Sequence, residues 1–183
     1  MAGTREVPLV PTYVGLLRGV NVGGKNKVAM AELRSLVESL GHHEVRTFIQ
    51  SGNVVFTADK AITPKDLEGP IADRFGLKVA VMLRSADELT DVVTANPFGH
   101  VDTSKLHVGF MARAPSAGSV AALDAERFLP EEFAFVADQL YLHLPDGMAR
   151  TKLPAYLDRQ LKIPTTVRNW KTVNKLVELA NSP

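Results

Sequence analysis

Two β-prone runs, EVRTFIQ (Glu44–Gln50) and NVVFTA (Asn53–Ala58), are separated by nothing but Ser51 and Gly52. So short a link, with a glycine to supply positive φ, specifies a hairpin and hence an antiparallel pair. Upstream, TYVGLLR (Thr12–Arg18) is a short apolar run ended by Gly19 and reads as a buried strand. MAELRSLVESLG then places Met30, Leu33, Leu36, Val37 and Leu40 at helical spacing and closes on Gly41. Downstream, TPKDLEGPIADRFG offers Thr63 as a cap and Pro64 at the first helical position. Gly69-Pro70 is expected to shorten or kink that helix. LKVAVMLR is a strand, and SADELTDVVTA opens on a capping box of Ser85 and Glu88 and stops before Asn96-Pro97.

The same order recurs in the second half. KLHVGFMA is a strand and SVAALDAERF a helix; EFAFVA and QLYLHL form a hairpin about Ala137-Asp138. TKLPAYLDRQL is a helix with Pro154 in its first turn, TTVR a short strand, and NWKTVNKLVELA a helix with Trp170, Val173, Leu176, Val177 and Ala180 on one face. Even the two starting strands, YVGLLRG and HVGFMAR, look alike. The expected fold is therefore α+β: an internal duplication of two ferredoxin-like βαββαβ units with extra helices and antiparallel or mixed sheets. The first half would span residues 1–99 and carry the glycine-rich loop. The second, 100–183, would carry a basic C-terminal motif, the two packed as one globular unit.

The composition suits such a core: 183 residues, 45% hydrophobic and 22% charged. No apolar run approaches a membrane span, and MAGTREVPLVPTYV lacks a signal peptide's continuous apolar core, so a cytoplasmic protein is expected. With no cysteine, disulfides, thiolate metal sites and cysteine nucleophiles are excluded. The five histidines show no metal-ligand spacing, and no metal is expected. Net charge is only +1, but between Gly147 and Lys175 seven basic residues meet one acid, a local +6 that leaves −5 elsewhere. Such asymmetry suits an anionic ligand or a polyanionic surface; the bland alternative is a solvated basic face.

GVNVGGKN (Gly19–Asn26) falls one residue short of a phosphate-binding P-loop, because Asn26 stands where Ser or Thr should be. The hairpin argues against the mostly parallel sheet that carries such loops, and NKVA separates Lys25 from the helix. An NTPase is therefore the weaker reading. Glycines can still turn successive N–H groups into one concavity, and Arg18, Lys25 and Lys27 add positive charge with no acid nearby. The alternative is a glycine-rich connection whose lysines simply face water.

LLRGVNVGGKNKVAMAELRSLVESLG, TFIQSGNVVF and TTVRNWKTVNKLVEL together resemble an uncharacterised bacterial family, the domain of unknown function numbered 1697. The likeness runs from Tyr13 to Ala180. Its loop pattern is met by Leu17 through Asn26, its Q-S-G-N turn by Gln50 to Asn53, an R-[ST]-K-L run by Arg150 to Leu153, and a T-x-R-N-W-x-T-x-x-K-L run by Thr166 to Leu176. Such proteins often have proline where this chain has Ala29, which bears on helix capping alone. The resemblance implies a duplicated α+β fold and no particular activity.

These four motifs supply Arg18, Lys25, Lys27, Arg150, Lys152 and Arg168 as cations. They supply Asn21, Asn26, Gln50, Asn53 and Asn169 as amides, Ser51, Thr151 and Thr166 as hydroxyls, and no carboxylate. A site of this makeup suits phosphate, carboxylate or nucleic-acid backbone. The expected ligand-binding set is Arg18, Asn21, Gly23, Gly24, Lys25, Asn26, Gln50, Ser51, Asn53, Arg150, Lys152, Arg168, Asn169 and Trp170, converging on one pocket. Each has a plainer reading: SGN as a turn, Asn169 as an N-cap with Trp170 packed behind it, Arg168 in a surface ion pair, Thr151 as a cap.

Three function classes follow: a binder or transferase for an anionic, phosphate- or nucleotide-like small molecule; an RNA- or DNA-binding protein stacking bases on Tyr13, Phe48 and Phe56; and a regulatory or structural module without chemistry. The RNA-recognition K/R-G-F/Y-G/A-F signature is missing, and inward-pointing aromatics would remove the stacking platform. No nucleophile or general base has a visible partner, so no reaction, catalytic residue, cofactor or oligomeric state is assigned.

Overall fold

A computed structural model describes residues 10–182. The first nine residues, and with them most of the segment read as lacking a signal sequence, lie outside the described part. The chain runs β1 (Thr12–Leu17), α1 (Met30–Ser39), β2 (His43–Phe48), β3 (Asn53–Thr57), α2 (Lys65–Phe75), β4 (Val81–Ser85) and α3 (Ala86–Thr94). It continues through a 3-10 turn (Thr103–Lys105), β5 (Leu106–Met111), α4 (Ala117–Ala121), a second 3-10 turn (Glu126–Phe128), β6 (Glu132–Val136), β7 (Gln139–His143), α5 (Leu153–Leu161), β8 (Thr165–Asn169) and α6 (Trp170–Asn181). This is an α+β protein with two four-stranded sheets, ordered β2-β3-β1-β4 and β6-β7-β5-β8. Every strand pair in both is antiparallel.

Strand alternation sorts side chains into separate cores. On β3, Val54 and Phe56 face outward to Leu33 and Val37 of α1 and Leu67 and Ile71 of α2, while Val55 faces inward. The inward faces of both sheets meet in one shared core: Val14, Leu16 and Met82 from the first, Val108, Phe110 and Tyr141 from the second. Helices α3 and α6 pack on each other and complete it with Leu89, Val92, Val173 and Leu176. The outer face of the second sheet packs Leu140 and Leu142 against Leu153, Tyr156 and Leu157 of α5. No helix among the described residues is long and apolar enough to cross a membrane.

The capping box holds as read: Ser85 Oγ accepts from Glu88 N–H, and Glu88 Oε2 accepts from Ser85 N–H at 2.7 Å. Asn169 caps α6 by accepting from Thr172 N–H at 2.8 Å. Three details differ. Helix α2 runs through Pro70 without ending there. Thr63 does not cap it: Asp66 Oδ2 reaches back to accept from both the N–H and the hydroxyl of Thr63. The single helix read over SVAALDAERF is two short pieces, parted where Asp124 accepts from Arg127 N–H and donates its own N–H to Tyr156 Oη.

Edge strands β4 and β8 each carry a buried arginine that crosses to the other sheet. Arg84 stands opposite Val14 on β1, and Arg168 opposite Val108 on β5. Arg84 Nη2 donates to the carbonyl of Met111, the last residue of β5; Arg168 Nη2 donates to that of Leu17, the last residue of β1. Each Nη1 donates to the carbonyl just before its own residue, Leu83 or Val167. The two sheets therefore hold one another by matching grips.

Candidate functional site

Backbone conformation explains the glycine-rich loop. Lys25 N–H donates to Val22 C=O at 3.0 Å, closing a two-residue turn in which Gly23 and Gly24 have φ of +56° and +75°. Positive φ at both central positions is the tight hairpin geometry that glycine supplies without strain. Asn21 fastens the base: its Nδ2 donates to the carbonyls of Val28 and Gln50, and its Oδ1 accepts from Val28 N–H. Asn26 Nδ2 donates to Gly19 C=O. These amides brace the loop from inside. Lys25 and Lys27 are exposed, while Arg18 is engaged, donating to Thr165 C=O at 3.0 Å and to Asp158 Oδ1 at 2.9 Å.

Three of the four motifs do meet, around Arg168, but in the interior. The residue is 7% exposed and Asn53 is fully buried. Arg168 Nε donates to Asn53 Oδ1 at 2.7 Å, Nη1 to Thr166 Oγ1 at 2.8 Å and to Val167 C=O at 3.0 Å, and Nη2 to Leu17 C=O at 3.0 Å and Ser51 C=O at 2.8 Å. All five donors of a guanidinium are thus spent on uncharged acceptors. Burial pushes its pKa down to about 10, so it stays cationic at neutral pH. Asn53 Nδ2 in turn holds Phe48 C=O and Ser51 Oγ. The surface ion pair read for Arg168 is therefore corrected. With Ser51 and Asn53 it forms a structural tie in which every N–H of the guanidinium is engaged within the protein.

Asn169 and Trp170 lie at the far end of β8 from Arg18, which holds Thr165 at the strand's start. They border a groove of about 730 Å³ with Thr103, Ser104, His107, Gly147, Met148, Lys171 and Asn174. Arg150 and Lys152, both exposed, follow Met148 in the loop leading to α5. In that loop Thr151 Oγ1 donates to Glu131 Oε2 and accepts from Leu153 N–H, at the start of α5. No carboxylate lines the groove. His107 Nδ1 is buried without a hydrogen-bond partner, and burial lowers its pKa, so the ring is neutral near pH 7. Asn174 Nδ2 donates to Trp170 C=O, placing its side chain one turn above the tryptophan.

The expected single pocket thus resolves into three places: the braced glycine loop with Gln50 beside it, the buried Arg168 tie, and the groove at the start of α6. Sequence reading missed Thr103, Ser104, His107, Lys171 and Asn174. Lys171 and Asn174 were legible as neighbours of Trp170 on one helix. His107 joins them because it pairs with Asn169 across the β5–β8 ladder, a register that spacing along the chain does not reveal. The aromatics considered for base stacking have no open sheet face. Phe56 is fully buried, Phe48 packs against the shared core, and Tyr13 packs against the outer one. Among the described residues no three His, Asp or Glu side chains converge as a metal centre requires.

The molecule is thus an α+β protein with two facing antiparallel sheets and a carboxylate-free groove. Residues 10–141 match the model of the family described as Protein of unknown function (DUF1697), and the chain belongs to that family. The solved structure of conserved bacterial protein SP0830 from Streptococcus pneumoniae is similar, at 25% identity and a TM-score of 0.74. The likeness covers 95% of this chain and 100% of that one, so it extends over β8 and α6, beyond the matched family segment. No curated protein matches the chain.

Proposed function

We propose that this protein binds a small anionic ligand of nucleotide-like build in the groove at the start of α6. The observation that carries the reading is the groove's chemistry: Trp170, Lys171, Asn169, Asn174 and His107 around one opening that no carboxylate enters. A half-buried indole offers a face to a planar ring, Lys171 and the first turn of α6 favour a phosphate, and the amides suit a base or sugar edge. Arg150 and Lys152, which follow Met148 in the same loop, add positive charge to that part of the chain. The glycine loop serves as a braced scaffold element in this reading, and its lysines are not ligand contacts. No reaction is assigned.

A polynucleotide occupant is the competing reading. The groove favours a compact ligand, because the sheet faces that would stack successive bases are covered on both sides. We also propose that the halves 1–99 and 100–183 descend from one ferredoxin-like βαββαβ unit, and that the protein is cytoplasmic. The matching strand orders and the paired Arg84 and Arg168 support the duplication.

Trp170 is the chain's one tryptophan, so its fluorescence reports the groove directly. Titration with the four ribonucleoside monophosphates should give saturable quenching by at least one. Lys171→Glu should abolish it, and Lys25→Ala should leave it unchanged. Affinity should fall gently with salt, at a slope of about one per phosphate, whereas a polynucleotide would fall steeply. Quenching lost in Lys25→Ala but kept in Lys171→Glu, or no saturation with any of the four, would overturn the reading.

A further inference from the structure

Among the described residues the two sheets have four edge strands, β2, β4, β6 and β8. β4 and β8 abut the opposite sheet, into which each sends its buried arginine. β2 is broken by a bulge between His43 and Arg46, with Glu44 at φ +51° inside it. Bulges and charged side chains are devices by which an edge refuses a further strand. The body of β6 has neither. Its register against β7 is unbroken from Glu132 to Val136, and its Phe-Ala-Phe-Val run carries no lysine, proline or charge.

The neighbouring ladder fixes which backbone groups of β6 are open. Asp138 C=O accepts from Met111 N–H, and Leu144 N–H donates to Lys105 C=O, so even-numbered positions along β7 bond toward β5. The odd-numbered residues Gln139, Tyr141 and His143 therefore bond to β6, where they stand opposite Val136, Ala134 and Glu132. The alternate residues, Phe133 and Phe135, point their N–H and C=O groups away from β7. None of these backbone groups has a hydrogen-bond partner among the described residues.

We propose that β6 pairs with β6 of a second copy of this chain, antiparallel about a two-fold axis at Ala134. In that register Phe133 and the partner's Phe135 exchange both backbone bonds, and the symmetric pair does the same, so every open group of both strands is used. Each pair also lays one aromatic ring beside another on the outer face, where Phe133 and Phe135 of one chain already meet edge to face at 5.8 Å. Ala134 faces its own copy across the axis, and Val136 stands opposite the partner's Glu132. No like charges stand opposite each other within the seam. This self-fit selects a second copy over an unrelated segment, and an isologous contact closes at two chains. A net charge of +1 sets little repulsion against it. The seam is short, 5 residues a side against about 20–30 in a standard interface, so the dimer is weak and reversible, with a dissociation constant of about 10–100 µM. It leaves the Trp170 groove, at the β8 side of the same sheet, open and does not depend on it.

Sedimentation equilibrium of the full chain between about 1 and 500 µM should show a monomer–dimer equilibrium. Val136 is exposed and occupies a close, non-hydrogen-bonded position of the seam, so charge there tests the register. Val136→Glu sets like charges against the partner's Glu132 on both sides of the axis and should weaken dimerisation by about five- to tenfold, whereas Val136→Lys sets opposite charges there and should hold or tighten it. The chain has no cysteine, so Ala134→Cys puts its one thiol on the axis, at a Cα spacing of about 4.5 Å that a disulfide accepts. Under mild oxidation it should cross-link far faster than Ala122→Cys, exposed and away from the edge. A chain that stays monomeric across the range would overturn the proposal and leave the edge to an extended segment of another protein or to solvent. So would a dimer on which Val136→Glu and Val136→Lys have the same effect, or cross-linking no faster for Ala134→Cys than for Ala122→Cys.

Discussion

Replacing Arg168 by methionine keeps an unbranched apolar stem as far as the Nε position but removes the guanidinium fork and all five N–H donors. Three of the acceptors it abandons, Leu17 C=O, Ser51 C=O and Asn53 Oδ1, belong to the β1–β3 end of the first sheet. Hydrogen bonds to a charged group contribute about 1.5–3 kcal/mol each, so the gross loss is large. It is partly offset, because a buried guanidinium without a carboxylate carries a desolvation cost that methionine does not. What remains is the cost of neutral buried acceptors left unpaired, about 1–3 kcal/mol each, so a net loss of about 3–5 kcal/mol is expected. Against a total stability of about 5–15 kcal/mol, that is a large share. Urea unfolding followed by far-UV circular dichroism measures it as a lower midpoint at unchanged slope. Arg168→Lys should recover less than half, since an ammonium cannot reproduce the fork. A double-mutant cycle with Asn53→Ala should show coupling of about 1 kcal/mol or more. A cost for Arg168→Met within about 0.5 kcal/mol of zero, the range of an ordinary surface change, would refute the idea that this side chain ties the sheets together.

Gly52 has φ of +82°, and a Cβ there would stand 2.5 Å from Val20 Cγ2 and 2.9 Å from Leu17 Cβ, so Gly52→Ala should cost about 2 kcal/mol or more in the same unfolding assay. Burial lowers the pKa values of His42 and His107, so the unfolded chain binds protons more readily than the native one as pH falls below about 6.5. Stability should therefore decline from pH 7 to pH 5, and His107→Gln should flatten that decline in melting curves taken across the range. Trp170→Ala should leave the fold intact but remove nucleotide-dependent stabilisation in a thermal-shift assay, since the indole is only half buried.

Sequence periodicity revealed every strand and the long helices, because alternation and helical spacing record which face is buried. Pro70 does not end α2, which runs across it from Lys65 to Phe75, so the expectation of a shortened helix fails there. The SVAALDAERF stretch misled because apolar spacing carries no notice of a side chain, Asp124, that competes for backbone. The site was only half legible. TTVRNWK and QSGNVVF correctly marked residues that meet, and the loop amides marked a structured turn. Charge alone does not tell whether Arg168 faces solvent or the interior; that depends on β8 lying at an edge that abuts the other sheet. His107 and Ser104 enter the groove through strand register and a 3-10 turn, neither of which leaves a spacing signature.

Backbone amide chemical-shift mapping during titration with a ribonucleoside monophosphate tests the binding reading most directly, because it locates the ligand without a mutation. Perturbations should concentrate at residues 103–107, 147–152 and 169–174, around the start of α6. Perturbations centred on residues 19–27, with the α6 groove silent, would contradict it.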